Sequence, residues 1–312
     1  MSGEPRATVY IPTLHAGPRL AATLTGLAAQ TVPIEVVIAD NTDSPKKIEA
    51  VRASFPTLRT VRFGCNLGFG KALNRAVDSG GRNAVVLLND DAVPRPNFVE
   101  RLLQTAAESG AEMVAAVLVR EGNEGIIDSA GVVADETLMG FDYLSGEPVD
   151  RLSGAAAPLG PTGGGAFYSR RAFELVGGFD ERIFAYYEDL DLALRLRAAG
   201  VGCALSPQAR VVHAYSETLG ARSDAKYALT GWSRGYLARR YGIGSSPRLA
   251  ARALAIEAVV CAGQILRDRT ASGARSRIGG WRAARGLPQR PLPETGLLKL
   301  SASEALRMRL RR

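Results

Sequence analysis

Acidic side chains recur at the ends of apolar segments in this sequence. Asp40 ends the segment IEVVIAD, Asp90 and Asp91 follow AVVLLN, and Glu188 and Asp189 open the Leu- and Ala-rich segment EDLDLALRLRA. A buried carboxylate is costly unless a cation or a hydrogen-bond donor pairs with it. Two kinds of chemistry use such acids: carboxylate oxygens hold Mg²⁺ or Mn²⁺, and a positioned carboxylate accepts the proton of a reacting hydroxyl.

One histidine has a comparable position, because His213 follows a short apolar run and a neutral imidazole is a frequent ligand of divalent metals. Each candidate also has an ordinary structural reading. Asp90 and Asp91 can form a turn and cap the next helix, and Asp40 can nucleate a turn. His213 can be a hydrogen-bonded structural residue. Taken singly, none of these motifs decides between the two interpretations.

Two glycine-rich segments are candidates for the lining of a ligand site. GCNLGFGK (residues 64–71) precedes a predicted helix, where free backbone N–H groups can bind phosphate oxygens. It lacks the GxGxxG order and the GKS/T ending, so neither the dinucleotide fingerprint nor the P-loop applies. The consecutive Gly163, Gly164 and Gly165 permit backbone geometry closed to other residues and close approach to a ligand.

The elements that must position these residues alternate in type. Short β-branched segments predict strands at 7–12, 34–40, 59–63 and 84–90, with helical patterns between them. This alternation predicts the α/β class, with a mostly parallel central sheet flanked by helices. Ligands of such sheets bind at the carboxyl ends of the strands, where the acids lie.

Two later segments are less regular or ambiguous. Residues 121–165 contain many Gly, Pro and Asp and predict loops and short strands. The alternating leucines of 188–200 suit a strand, but we predict a helix because Ala and Arg dominate the segment. Its acids suit a helix start and Gly200 suits a helix end. This choice decides on which face each carboxylate lies.

Composition indicates a globular protein with a substantial core, since 46% of the 312 residues are apolar. The start resembles no secretory leader, and no uninterrupted apolar stretch reaches about 18 residues, so a cytoplasmic location is expected. Three cysteines without short spacing argue against a disulfide framework and a zinc site.

Charge divides the chain into two parts. Residues 1–233 carry 22 basic and 27 acidic residues, whereas 234–312 carry 17 basic and 4 acidic residues, so the net charges are −5 and +13. A basic tail of this kind usually contacts an anionic membrane surface or a nucleic acid. Its segment 248–266 predicts one amphipathic helix. Because the tail has few aromatic residues for base stacking, nucleic acid is not the expected partner.

The motifs in their order resemble the family 2 glycosyltransferases of the GT-A fold, in particular a bacterial rhamnosyltransferase-like branch. The resemblance spans about residues 7–223 and is carried by VYIPTLHAGPRLAATLTGLAAQT, VVIADNTDS, NLGFGKALNRA, VVLLNDDAVPRPNFVERL, GGGAFYSRRAFELVGGFDERIFAYYEDLDLALRLRAAG and VVHAYSETLGARS. It implies a GT-A catalytic domain at 1–233 and a basic, largely helical C-terminal extension at 234–312.

The resemblance also implies roles for particular residues. Those matching the family's donor-binding positions are Thr13, Asp40, Asn66, Gly68, Asn89 and Asp90. Gly163, Gly164 and Gly165 match the acceptor-side loop, and Asp91 and His213 match the metal-anchoring positions. Asp189 matches the general base, with Glu188 orienting the acceptor or the base. Relatives often have NPD where this sequence has NDD, which leaves the role of Asp90 open between an outer acid and an exposed bystander.

The implied activity is inverting, metal-dependent sugar transfer. The expected donor is a nucleoside-diphosphate sugar, dTDP-rhamnose being favoured over a UDP-hexose or UDP-galactofuranose, and the cofactor is Mg²⁺ or Mn²⁺. The expected acceptor is a glycan or polyprenyl-linked glycan, met at an anionic membrane surface on its cytoplasmic side. The oligomeric state is open, a homodimer included. Alternatives are a nucleotidyltransferase, for which TLHAGPRL is a poor activating loop, and a nucleic-acid-binding protein.

Overall fold

The computed structural model describes residues 3–214 and 222–310. Residues 215–221, in the last motif of the resemblance, lie outside this range. The strands are β1 (Ala7–Thr13), β2 (Ile34–Asp40), β3 (Arg59–Arg62), β4 (Ala84–Leu88), β5 (Ala92–Pro94), β6 (Met113–Arg120), β7 (Asn123–Ser129), β8 (Val132–Ala134), β9 (Gly140–Asp142), β10 (Gly165–Ser169) and β11 (Cys203–His213). The helices are α1 (Pro18–Ala28), α2 (Pro45–Ser54), α3 (Phe69–Asp78), α4 (Phe98–Ser109), α5 (Arg170–Leu175), α6 (Glu188–Ala198), α7 (Asp224–Arg240), α8 (Pro247–Asp268), α9 (Ser272–Ala283) and α10 (Ala302–Leu310).

The predicted α/β class is confirmed, and the sheet is parallel in its first half and mixed in its second. Its strand order is β3-β2-β1-β4-β10-β6-β11-β5, with β7 paired to β6. The four predicted strands are β1 to β4, and β1 pairs in parallel with both β2 and β4. β10 runs antiparallel between β4 and β6, which makes β6 and its parallel partner β11 point the same way as β4.

These strand directions bring distant parts of the sequence to one edge of the sheet. β1, β2, β4 and β11 all end there, at Thr13, Asp40, Leu88 and His213. The antiparallel β10 begins at the same edge, since Gly165 pairs with Leu88. The edge therefore collects the turn after β4, the triple glycine before β10 and the histidine that ends β11, which is where α/β proteins bind ligands.

Helix α6 is buried on all sides, which explains its ambiguous sequence. Leu192 and Leu196 pack against the sheet, whereas Leu190 and Leu194 pack towards the C-terminal helices. A helix enclosed in this way has no polar face, so its leucines show no helical period. The helix predicted at 188–200 is present, and both of its first acids lie in its first turn.

The C-terminal extension is fastened to the catalytic part by buried ion pairs. Arg290 donates to Asp180 at 2.7 Å and to Asp191 on α6 at 2.5 Å. The hydroxyls of Tyr236 and Tyr241 donate to the same two carboxylates. Helix α7 runs continuously through residue 233, so the division of the sequence at 233/234 falls within a helix.

Helices α7 and α9 approach each other closely through glycines. A Cβ atom on Gly235 would overlap the backbone carbonyl of Arg277, and one on Gly280 would overlap that of Trp232. Both obstacles are backbone atoms, so no side-chain rotation relieves them. The glycines thus set the distance between the two helices.

A matched pair of substitutions tests this packing. We expect Gly235→Ala to lower the free energy of unfolding by roughly 1–3 kcal/mol, because the methyl group overpacks the helix contact. In contrast, a Cβ on Gly263 in α8 meets no atom within 4 Å. Gly263→Ala should therefore raise stability by ~0.5–1 kcal/mol through helix propensity. Urea denaturation of both variants measures the difference, and changes of the same sign would contradict the close approach.

Candidate active site

A cleft of about 490 Å³ opens at this edge of the sheet. Its lining includes eleven of the thirteen residues that the sequence singled out: Thr13, Asn66, Gly68, Asn89, Asp90, Asp91, Gly163, Gly164, Glu188, Asp189 and His213. Asp40 and Gly165 are not in the lining. Residues more than 170 positions apart thus share one cavity, large enough for a small-molecule ligand.

Asp40 lies beneath the cleft and is fully buried. Its Oδ1 accepts a hydrogen bond from the Thr42 N–H at 2.9 Å, which is the turn interaction that the sequence left open. Its Oδ2 has no hydrogen-bond partner in the described residues and lies 3.7 Å from the Arg62 guanidinium. Asn41, the next residue, reaches the lining instead.

Asp91 and His213 meet because of strand register. β11 pairs with β5 so that His213 lies opposite Ala92, directly after Asp91. The Nε2 atom of His213 lies 3.3 Å from Oδ1 of Asp91. On its other side, Nδ1 of His213 lies 2.7 Å from Oδ2 of the buried Asp128 on β7. The imidazole is therefore held in place by a carboxylate behind it, as metal-binding histidines commonly are.

Two negative neighbours determine the charge of this imidazole. Burial favours the neutral form, but the hydrogen bonds and charges of Asp128 and Asp91 outweigh it and raise the pKa of His213 to about 10. The space between Asp91 and His213 thus attracts positive charge. Their 3.3 Å separation is close to the roughly 3 Å between neighbouring ligands of an octahedral Mg²⁺.

The donor set fits a cation that is shared with a substrate. Within residues 3–214 and 222–310, no three Asp, Glu, His or Cys side chains form a group able to hold a metal. One carboxylate and one imidazole leave most coordination positions for other oxygens. Mg²⁺ typically binds in this manner, through one or two carboxylates together with substrate phosphates and water.

Asp90 faces away from this pair and is not an exposed bystander. Its Oδ2 accepts a 2.6 Å hydrogen bond from the hydroxyl of Thr13, and the same hydroxyl accepts from the Ala16 N–H. Burial raises the pKa of Asp90 to about 6, with the neighbouring charge of Asp91 adding to the effect. Because its one hydroxyl proton already goes to Asp90, Thr13 positions the loop after β1.

The second acid pair opens α6. Oδ1 of Asp189 accepts from the Leu190 N–H at 2.7 Å, and Oδ2 accepts from the Gly163 N–H at 3.3 Å. Thr162 adds a longer contact of 3.4 Å. Glu188 is buried, and its Oε2 has no hydrogen-bond partner in the described part of the chain. The triple-glycine segment therefore orients Asp189, while Glu188 keeps a vacant acceptor at the cleft.

Burial and like charges raise the pKa of both carboxyl groups. For Glu188 the burial effect is increased by the charge of Asp189, and for Asp189 by the charge of Asp142 on β9. Asp189 loses its proton first, and its negative charge then keeps Glu188 protonated at neutral pH. The pair thus supplies one carboxylate that is more basic than usual, as a general base requires.

We expect Asp142 to set the acidic limit of activity. A base with a raised pKa is active above that pKa and is lost as the pH falls through it. Asp142→Asn removes a negative neighbour, lowers the pKa of Asp189 and should move the acidic limb of the kcat profile to lower pH. Asp150→Asn, an exposed acid nearby, is the control. Identical limbs in the three proteins would contradict the coupling between Asp142 and Asp189.

The backbone before α6 is strained. Tyr186 and Tyr187 have φ angles of +66° and +72°, in the left-handed region that non-glycine residues rarely occupy. Both rings line the cleft, and the Lys226 ammonium lies 5.5 Å from the Tyr186 ring centre. Such strain of about 1–3 kcal/mol persists where the surrounding structure fixes it, and it often occurs at functional sites.

The glycine segments are explained by packing and internal hydrogen bonds. Gly163 to Gly165 lie outside the positive-φ region, and Cβ atoms there would crowd Phe69 or Leu118. The expectation of unusual backbone angles was therefore wrong. In the other segment, the Gly68 N–H donates to Asn66 and the Phe69 N–H to the Phe184 carbonyl. These donors are used within the protein, so the expected phosphate binding by this loop finds no free N–H at Gly68 or Phe69.

The sequence interpretation missed Asp128, Asp142 and Thr162. Asp128 follows Ile126 and Ile127, the same pattern that identified Asp40, but residues 121–165 were interpreted as irregular. Asp142 and Thr162 have no such signal. Their importance follows from the position of α6 alone.

The class of the protein follows from its fold, which is that of the GT-A glycosyltransferases. A mannosyltransferase from Pyrobaculum calidifontis, solved with GDP-mannose and Mn²⁺, matches with a TM-score of 0.54 and 20% identity, over 99% of this chain and 81% of that one. GalNAc-T7 with UDP, GalNAc and Mn²⁺ matches with a TM-score of 0.56 and 15% identity, over 74% and 48%. At these identities the likeness concerns the fold.

The chain belongs to the glycosyltransferase like family 2, whose model matches residues 5–228. A relative in Mycobacterium tuberculosis, N-acetylglucosaminyl-diphospho-decaprenol L-rhamnosyltransferase, is 30% identical over 68% of this chain and 77% of its own. The O-antigen biosynthesis protein RfbC of Myxococcus xanthus is 28% identical over 72% of this chain and 18% of its own. The protein is therefore a glycosyltransferase, and the predicted rhamnosyltransferase-like branch is confirmed. The nucleotidyltransferase alternative is not supported.

Proposed function

We propose that this enzyme transfers L-rhamnose from dTDP-rhamnose, with inversion, to a hydroxyl group of a lipid-linked glycan. The observation that carries the proposal is the pairing of two acidic sites in one cleft. Asp91 with His213 attracts a cation, and Asp189 offers a basic carboxylate oxygen. The mycobacterial relative, which is named for rhamnose transfer to a decaprenol-linked sugar, supports this donor and acceptor.

The acceptor side of the reaction depends on Asp189. The acceptor oxygen attacks the anomeric carbon, its proton passes to the Asp189 carboxylate, and the bond from the sugar to the diphosphate breaks with its electron pair on the phosphate oxygen. A single displacement of this kind inverts the anomeric centre. Gly163 and Leu190 hold the carboxylate by their N–H groups, which fixes the direction of the accepting oxygen.

The donor side contains the residues that would hold a divalent cation. When bound by Asp91 and His213, Mg²⁺ or Mn²⁺ supplies Lewis-acid stabilisation of the departing diphosphate. Asp128 orients His213 through Nδ1 and keeps Nε2 directed at Asp91. We assign the nucleoside to the side of the cleft formed by Thr13, Asn41 and Asn66, above the unpaired Oδ2 of Asp40.

A donor panel tests the proposal. The purified protein is incubated with dTDP-rhamnose, UDP-glucose, UDP-galactofuranose or GDP-mannose, with Mg²⁺ or Mn²⁺, and release of nucleoside diphosphate is measured. We expect release from dTDP-rhamnose above all others, lost with a chelator. NMR of the transfer product then reports the anomeric configuration. Preference for another sugar would refute the donor assignment, and a retained configuration would refute the displacement at Asp189.

A further inference from the structure

Helix α8 has its polarity reversed for a surface helix. Its charged side chains point to the protein: Arg252 donates to Asp135 at 2.8 Å, and Glu257 accepts from Arg234 on α7 at 2.6 Å. Its exposed side is apolar and includes Leu254 (70% exposed) and Leu266 (81% exposed). A helix that faces water normally shows the opposite arrangement.

The exposed apolar surface continues onto α9. We define the apolar face as Leu254, Val259, Ile265 and Leu266 of α8 with Ile278 and Trp281 of α9, all of them exposed. Exposed arginines occur at the ends of α8 and along α9: Arg248, Arg267, Arg269, Arg275, Arg282 and Arg285. An apolar surface with a basic rim matches the interface of an anionic membrane, where acyl chains lie below negative headgroups.

Other occupants of the apolar face are disfavoured by the same contacts. Among the described residues, α8 is the one helix long and apolar enough to cross a membrane. Crossing would place Arg252 and Glu257 in hydrocarbon and break their ion pairs with the catalytic part. A symmetric dimer through this face would bring two arginine rims together, because such an interface pairs a surface with itself.

We propose that the apolar face lies flat in the headgroup region of an anionic phospholipid membrane, with the arginine rim at the lipid phosphates. Helix α7 connects this surface to the cleft: Lys226 and Thr230 in its first half line the cleft, and Gly235 in its second half packs on α9. Delivery of a lipid-linked acceptor along this route rests on the proposed function. Binding of the membrane itself does not.

Vesicle flotation of the full-length protein tests the proposal without any nucleotide sugar. We expect binding to phosphatidylcholine vesicles that contain phosphatidylglycerol and much weaker binding to pure phosphatidylcholine. Leu254→Gln with Leu266→Gln should lower partitioning roughly tenfold or more, since both side chains leave the acyl region. The matched control is Leu175→Gln, an exposed leucine on α5. It should bind like the parent.

Charge is tested separately. Arg282→Gln with Arg285→Gln should reduce binding to anionic vesicles by about fivefold per arginine. Lys46→Gln with Arg52→Gln, exposed on α2, is the charge-matched control. Brominated lipids should quench Trp281, and the quenching should be lost in Trp281→Phe.

Two outcomes would overturn the proposal. One is equal flotation of the parent and the leucine double variant. The other is a dimer, seen by sedimentation velocity, that the double variant dissociates while neither protein binds vesicles. Nucleoside diphosphate release from dTDP-rhamnose is measured in parallel and should be unchanged in the double variant. A failure of membrane binding is thereby distinguished from a failure of the proposed function.

Discussion

Asp189→Asn is expected to lower kcat by about 10²–10⁴-fold while leaving the affinity for the donor nearly unchanged. Asparagine keeps the size of the side chain and one oxygen that accepts from Leu190 or Gly163, so the start of α6 should persist. It has no basic oxygen at neutral pH, and the acceptor proton then has no recipient. Steady-state kinetics give kcat, and calorimetric titration with the donor gives its Kd.

The adjacent acid provides the internal control. Glu188 keeps its proton beside ionised Asp189, and glutamine resembles a protonated glutamic acid in shape and hydrogen bonding. Glu188→Gln should therefore retain most of the activity, and Thr162→Val should lose less than about tenfold because its hydrogen bond is long. If Glu188→Gln were inactive and Asp189→Asn active, the two roles would be exchanged.

Asp91→Ala should abolish metal-dependent donor binding and lower kcat/KM by about 10²-fold or more. The substitution removes the one carboxylate that lies beside His213 in the cleft. Loss of a residue that only orients a ligand typically costs about 10- to 100-fold in metal affinity, and this is the range expected for Asp128→Asn. Mn²⁺ binding in the presence of the nucleoside diphosphate, followed by electron paramagnetic resonance, reports affinity independently of turnover.

Asp90→Asn separates the metal site from a general effect of charge. Asp90 is adjacent in sequence, but its carboxylate is bonded to Thr13. We therefore expect Mn²⁺ affinity in Asp90→Asn to stay within about tenfold of the parent. Equal losses in Asp90→Asn and Asp91→Ala would mean that the loop after β4 attracts the cation only through its summed charge.

The sheet and the edge that holds the cleft could be predicted because both depend on local signals. β-branched segments identify β1 to β4, and the carboxyl ends of parallel strands are ligand sites irrespective of sequence detail. Asp91 and His213 could be proposed as partners only through the family resemblance. Their actual contact depends on the register of β11 against β5, and no local pattern specifies register between strands so far apart.

The reversed polarity of α8 shows a second limit. Arg252 and Glu257 look like the solvent face of an amphipathic helix, and the sequence was interpreted in that way. They point inward because Asp135 and Arg234, from distant segments, offer opposite charges. Periodicity reports where apolar residues lie on a helix, but it does not report which side meets water when the protein surface is itself charged.

The clamp between Arg290 and α6 has a consequence for biosynthesis. Asp191 leaves the ribosome 99 residues before the arginine that neutralises it. The sheet can assemble while the extension is still being translated, but the helix that carries Glu188 and Asp189 completes its packing only when the polypeptide is nearly finished. A premature stop codon shortly before Arg290 would thus yield a protein with an intact sheet and an incompletely supported pair of acids.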